Sequence, residues 1–252
     1  MKKIFAIMIC ALLAFGMAGC AFGPPTGAGM SPPISPPPVM LPEPADFTDP
    51  RYDQVYVPVE GMSLVELDGK WGFIDEELNE IVPPKYEFAN VYKDGLAMVR
   101  LDGKIGLLNK AGEEVVPPKY EAFCNFFEDV AWIKLGGKWG VIDRNGNEVV
   151  PPKYGYSSLS FSEGLSGVQN GFKWGFIDKE GNMVVKPKYQ EVDYFSEGRA
   201  GVMKGGKWGF IDKEGNVIVK PKYDNVRPYS DGKAWFKLGD KEGYIDLNGN
   251  EV

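Results

Sequence analysis

A period of 34 residues governs most of this chain. The tripeptides Lys70-Trp71-Gly72, Lys104-Ile105-Gly106, Lys138-Trp139-Gly140, Lys173-Trp174-Gly175, Lys207-Trp208-Gly209 and Lys241-Glu242-Gly243 recur at intervals of 34, 34, 35, 34 and 34 residues. A second marker keeps the same register: Pro50-Arg51-Tyr52, Pro84-Lys85-Tyr86, Pro118-Lys119-Tyr120, Pro152-Lys153-Tyr154, Pro187-Lys188-Tyr189 and Pro221-Lys222-Tyr223. Self-similarity at this spacing marks a repeat architecture, in which a single unit cannot bury its apolar face alone and stacks on its neighbours. The one extra residue falls between Tyr154 and Phe161, where Gly155, Tyr156 and two serines lengthen a loop.

The turns within a unit are readable. Leu96 to Leu101 has strand composition, Asp102-Gly103 is a two-residue hairpin signal, and Ile105 to Leu108 makes a second strand. Asn145-Gly146 and Glu214-Gly215-Asn216 turn the chain again into Val149-Val150 and Val217 to Val219, where the following proline is expected to end the strand for want of an N–H. Each unit is therefore a three-stranded β-meander. The segment after each tyrosine adds a short fourth strand that ends at an aromatic anchor: Tyr92, Phe126, Phe195 or Tyr229. The content of 32 Gly and 20 Pro in 252 residues agrees with a turn-rich, all-β chain.

The run Lys-Trp-Gly-Phe-Ile-Asp, then Gly-Asn, then Pro-Lys-Tyr closely resembles the WG-repeat (KWG-type) family of bacterial proteins, over residues 50–252. The resemblance implies an all-β repeat domain in an interaction role and carries no catalytic residues. Ile105 and Glu242 stand where the family has Trp, which marks the last unit as a looser, capping copy. Residues 50–252 amount to almost six periods, with both ends in phase. The favoured architecture is a closed six-bladed propeller-like ring, in which the strand Tyr52 to Val57 completes the last meander. The alternative is an open β-solenoid of the same six tandem repeats.

The N-terminus reads as a targeting segment. Lys2 and Lys3 precede an apolar run from Ile4 to Phe15, and Met17-Ala18-Gly19-Cys20 follows. That ending resembles the lipobox of bacterial lipoproteins, which implies removal of residues 1–19 and diacylglycerol and acyl attachment at Cys20, palmitate among the acyl chains. Two or more chains hold a protein firmly on a membrane. Ala21 after the cysteine is compatible with forwarding to the outer membrane of a Gram-negative cell; otherwise the protein would sit on the outer face of the cytoplasmic membrane. Ten prolines between Pro24 and Pro50 make residues 20–49 an extended, partly polyproline II spacer. With Cys10 removed and Cys20 acylated, Cys124 is expected to remain as a small apolar core residue in a mature chain with no intramolecular disulfide.

Composition narrows function further. The absence of His removes Ser-His-Asp and Cys-His catalysis and His-ligated zinc. A net charge of −7, falling to −9 once Lys2 and Lys3 are cleaved off, argues against nucleic acid as a partner. No cofactor is expected. Asp143-x-Asn145-Gly146-Asn147 and Asp246-x-Asn248-Gly249-Asn250 lack the remaining ligands of a calcium loop and read as turns. Trp71, Trp139, Trp174 and Trp208, with Tyr86, Tyr120, Tyr154, Tyr189 and Tyr223, are the structural residues of the repeat. One strand position breaks uniformity: Leu64, Met98, Trp132, Gly167, Gly201 and Trp235. Trp132 and Trp235 are the candidate ligand platform, the competing reading being that each fills space left by a neighbouring glycine. The chain is thus expected to be an anchored, envelope-exposed binding module for protein or cell-wall glycan, without catalysis. A structural spacer is the alternative, and a carboxylate-pair hydrolase a further one.

Overall fold

A computed structural model describes residues 43–45, 48–158 and 160–252. The signal segment, Cys20 and nearly all of the proline-rich spacer lie outside those residues. The described chain forms six successive antiparallel sheets, five of four strands and a last one of three. In the first sheet β1 (Gln54–Val55), β2 (Met62–Leu67), β3 (Lys70–Asp75) and β4 (Glu80–Tyr86) lie in simple meander order. The Asp-Gly turns take the left-handed backbone that a two-residue hairpin demands, with φ of 50° at Asp102 and 69° at Gly103.

Two details depart from the sequence expectation. Proline does not end the last strand of a unit. In β4 the chain runs on through Pro83-Pro84 to Tyr86, and the register against β3 slips between Trp71↔Tyr86 and Phe73↔Val82. The slip is centred on Gly72, where an added Cβ would lie 2.4 Å from the Val82 carbonyl oxygen. Prolines have no N–H to leave unpaired, so they suit a bulge that arches over a residue without a side chain. The same crossing recurs at Gly106, Gly140, Gly175 and Gly209, with Cβ-to-carbonyl distances of 2.6, 2.5, 2.2 and 2.3 Å.

The second departure concerns the short strand after each tyrosine. It belongs to the sheet that follows: Phe88–Ala89 pairs with Leu96–Leu101, and β1 pairs with β2. The strand that ring closure would assign to the last unit is therefore occupied in the first. Its outer edge is also covered, because residues 43–45, assigned above to the spacer, pair along it through Pro44↔Tyr56 and the bonds Ala45 N to Val55 O and Val57 N to Glu43 O, both 3.0 Å. No strand pairing among the described residues joins the first sheet to the last, and the substantial contacts between sheets run from each to the next.

The core is correspondingly serial. Buried clusters bridge consecutive units, as where Phe73, Val82 and Tyr86 meet Tyr92, Val99 and Leu108. The aromatic six residues beyond the tyrosine packs edge-on against the Phe of the preceding Trp-Gly-Phe: Phe73–Tyr92 at 4.9 Å, Phe176–Phe195 at 4.8 Å and Phe210–Tyr229 at 4.9 Å. A polar joint accompanies it. The hydroxyls of Tyr52, Tyr86, Tyr120 and Tyr223 donate to Glu80, Glu114, Glu148 and Glu251 of the following unit at 2.9, 3.0, 2.9 and 2.8 Å. Turn carboxylates add a further link, Glu60 accepting from the N–H of Asp94 at 2.7 Å and of Gly95 at 3.0 Å. Cys124 is fully buried, as expected of a small apolar residue. Against expectation it is disulfide-bonded.

Because stability in such an array is a near-sum of local terms, removing residues 50–57 should abolish amide protection in the first sheet alone. Hydrogen exchange on the truncated chain checks this, with the strands around Trp139 and Trp174 expected to keep native protection. Uniform loss of protection would instead indicate a closed ring.

Candidate functional site

The meander fixes a frame, and function must reside where the units differ. The irregular position noted in the sequence lies on the second strand of each sheet. There Leu64 and Trp132 are each 1% exposed, Met98 and Trp235 are half-buried, and Gly167 and Gly201 have no side chain. The backbone ties this position to a second variable one, which in four sheets lies just past the short strand beside it. The N–H groups of Asn90, Cys124, Ser158 and Arg227 donate to the carbonyls of Met98, Trp132, Gly167 and Trp235 at 3.0, 2.8, 2.8 and 3.0 Å. Asp193 is the counterpart in the fifth sheet, its Cβ 3.4 Å from where a Cβ on Gly201 would be. Two adjacent lines of changing chemistry thus run along a constant scaffold.

Trp132 is not a platform. Its indole stacks on Phe161 at 5.8 Å and 14°, meets Tyr154 edge-on, and packs against Val168 of the next unit, whose own variable residue is Gly167. It is a core residue between the third and fourth units, and the space beside Gly167 is taken by Val192 and Ser158. Burial has a cost, since Nε1 is enclosed without a hydrogen-bond partner. Trp235 differs. The Arg227 guanidinium lies 5.0 Å from its ring centroid, and across the hairpin it faces Tyr244, which is 46% exposed and carries Lys233 at 5.0 Å. Two aromatic rings and two cations therefore share the open face of the last sheet.

The structural residues fall mainly as expected. Tyr86, Tyr120, Tyr154, Tyr189 and Tyr223 are buried, each with the lysine before it over its ring. Trp208 is buried at 4% exposure, whereas Trp71, Trp139 and Trp174 are half-buried. The Asp-x-Asn-Gly-Asn segments are closed turns. Asp143 accepts from the N–H groups of Asn145 and Asn147 at 2.9 and 2.8 Å and from the Asn147 side chain at 2.8 Å. Equivalent bonds from the Asn250 backbone and amide hold the Asp246 carboxyl below the usual carboxylate range. Among the described residues no group of three His, Cys, Asp or Glu is placed to hold a metal ion.

Two features escaped the sequence reading. A small crevice of about 60 Å³ between the second and third sheets is lined by Asn90, Met98, Phe126 and Arg144; Arg144 bridges Asp94 and Asp129 and covers the Phe126 ring. The other is Asp193, 6% exposed, whose carboxylate accepts from the Tyr194 N–H. The polar residues Asn90 and Ser158 at the same place in other units were the available signal.

Burial pushes the Asp193 carboxyl up to about 6. A native pKa above the unfolded one means that its contribution is complete below about pH 4 and is lost as pH rises through about 6. Asp193→Asn should therefore leave stability at about pH 4 unchanged and raise it at neutral pH, by an order of 2–3 kcal/mol. Urea unfolding of both proteins across that interval measures the difference.

Comparison with known proteins agrees with the repeat. The WG containing repeat matches residues 48–71, 71–104, 105–139, 139–173, 174–208 and 208–241. No curated protein matches the chain. Among solved structures, Hsv2p of Kluyveromyces lactis is similar over 74% of this chain and 71% of its own, with 11% identity and a TM-score of 0.38. A structure described as YCF48 bound to D1 peptide covers 79% and 77%, with 12% identity and a TM-score of 0.35. A eukaryotic initiation factor covers 72% and 59%, with 12% identity and a TM-score of 0.41. At such scores the fold rests on the strand pairing itself, and the repeat match, in register with the sheets, establishes that the chain belongs to the WG-repeat family.

Proposed function

We propose that this chain is a lipid-anchored protein of the bacterial envelope whose repeat array binds protein or cell-wall glycan and performs no catalysis. The observation that carries the binding reading is the open face of the last sheet, where Trp235, Tyr244, Arg227 and Lys233 lie together. A partly exposed indole with a stacked guanidinium offers a flat apolar surface rimmed by donors, which suits a sugar ring or an extended peptide. The Met17-Ala18-Gly19-Cys20 sequence and the proline-rich segment support anchoring and presentation. A passive spacer would need no such face.

Screening the full chain against glycans and envelope proteins should retain a specific ligand. Trp235→Ala should weaken that ligand about thirtyfold, the effect of losing an aromatic hot spot worth about 2 kcal/mol. Retention of no ligand, or equal retention by the variant, favours the spacer.

The anchor has its own measurement. A fatty-acid analogue should label the wild type and not Cys20→Ser. A sulfur bearing a thioether takes part in no disulfide, so intact mass with and without reductant accompanies the labelling. An unlabelled protein, or equal labelling of both, would end the lipoprotein reading.

A further inference from the structure

Two joints of the array lack a component that the others possess. In four units the tyrosine of Pro-Lys-Tyr or Pro-Arg-Tyr donates a hydroxyl hydrogen bond to a glutamate of the next unit, at 2.8 to 3.0 Å. In three of these the lysine beside it approaches the same carboxylate: Lys85–Glu114 at 3.6 Å, Lys119–Glu148 at 3.1 Å and Lys222–Glu251 at 2.9 Å. The last strands of the fourth and fifth sheets, Met183–Tyr189 and Val217–Tyr223, begin instead with Met183 and Val217. Those same strands exchange the first proline of the bulge for Lys186 and Lys220. A negative charge is lost and a positive one gained, twice, in a chain whose overall charge is −7.

The joint between the fourth and fifth sheets shows the consequence. Tyr189 is 2% exposed, and its hydroxyl is buried with no hydrogen-bond partner. A buried phenol left unsatisfied costs free energy that its counterparts avoid through their glutamates. Tyr189 lines a cleft of about 220 Å³ together with Lys188, Lys204, Lys220 and Val217. Among the described residues, none of these three lysines pairs with a carboxylate. Val217, which occupies the glutamate position, is 49% exposed, so the cleft opens to solvent where the missing side chain would enter.

We propose that this cleft binds a glutamate side chain of an acidic polypeptide, its carboxylate accepting from the Tyr189 hydroxyl and lying among Lys188, Lys204 and Lys220. The chain itself exhibits the fit. Each intramolecular counterpart is occupied by a Glu side chain, on a strand for Glu80, Glu114 and Glu148 and at an isolated β-bridge for Glu251, held by a tyrosine hydroxyl and, in three cases, a lysine. A partner in extended conformation would supply the same carboxylate on the same two-carbon stem. The hydroxyl is an oriented single donor and the ammonium groups are mobile point charges, an arrangement that suits one planar carboxylate oxygen. This inference is independent of the lipid anchor and of the Trp235 face.

The test is calorimetric titration of the full chain with an acetylated, amidated hexaglutamate peptide, its hexaglutamine counterpart and inorganic phosphate. Hexaglutamate should bind, with affinity that falls as salt rises, and hexaglutamine should not. Val217→Glu supplies the carboxylate from within. It should raise the melting temperature and weaken hexaglutamate at least about tenfold, the value of one charge-assisted hydrogen bond. Tyr189→Phe keeps the ring and removes the donor; it should fold and weaken the peptide by a similar factor. No hexaglutamate binding, equal binding of hexaglutamine, binding of phosphate alone, or unchanged affinity in Tyr189→Phe would overturn the proposal.

Discussion

The close approach of a proline-bearing strand to a glycine is the constraint on which the rest of this array depends. At Gly72, Gly106, Gly140, Gly175 and Gly209 there is no room for a Cβ, because the carbonyl of a valine in the next strand lies where that atom would be. The bulge inserts extra residues into that strand and so sets tyrosine opposite tryptophan or isoleucine, as in Trp71↔Tyr86, Ile105↔Tyr120 and Trp139↔Tyr154. A tyrosine so placed reaches beyond its own sheet. Its ring joins the buried core, its hydroxyl meets the glutamate of the next unit, and the chain after it turns into the first strand of the following sheet. In the last sheet, three-stranded, a Cβ on Gly243 would meet only the Phe236 ring, at 3.1 Å.

Such a frame separates stability from specificity. The residues that make the crossing, the turn and the aromatic anchor repeat almost unchanged, while two neighbouring positions per unit carry different chemistry without changing the strand order. Trp132 uses this freedom for packing, its indole stacked on Phe161 in the core shared with the next unit. Arg227 and Trp235 use it to form a surface. Asp193 is a carboxyl held in an apolar joint beside Gly201.

Much of this was legible in the sequence. The period gives the number of units, Asp102-Gly103 gives the hairpin, and Gly106 signals close backbone approach. Phase was not legible. The segment after each tyrosine is equally compatible with the sheet before and the sheet after, since two-residue strands such as Gln54–Val55 hold too little pattern to select a partner. Proline misled for a related reason: it forbids an ordinary ladder and is admitted by a bulge, and the glycine that makes the bulge possible lies on the other strand. The two tryptophans of the variable position were indistinguishable in sequence. Their difference lies in their surroundings, Phe161 stacked on the buried Trp132 and Arg227 over the half-buried Trp235.

The joints between units also differ in how they treat charge. Where Glu251 enters its joint, Lys241, Lys222 and the Tyr223 hydroxyl together lower its pKa to about 2. Ionisation is favoured there, so the joint keeps its polar link until pH falls well below the range in which an ordinary glutamate titrates. The tyrosine hydroxyl and lysine that meet this glutamate have the chemistry of a carboxylate receptor, which the internal side chain occupies. Replacing that glutamate with Val217 leaves Tyr189 in place while relieving the joint of its occupant. Structure and recognition in this chain therefore draw on one device. At the joint between the fourth and fifth sheets, Val217 in place of glutamate and Lys220 in place of proline turn outward a device that elsewhere holds the array together.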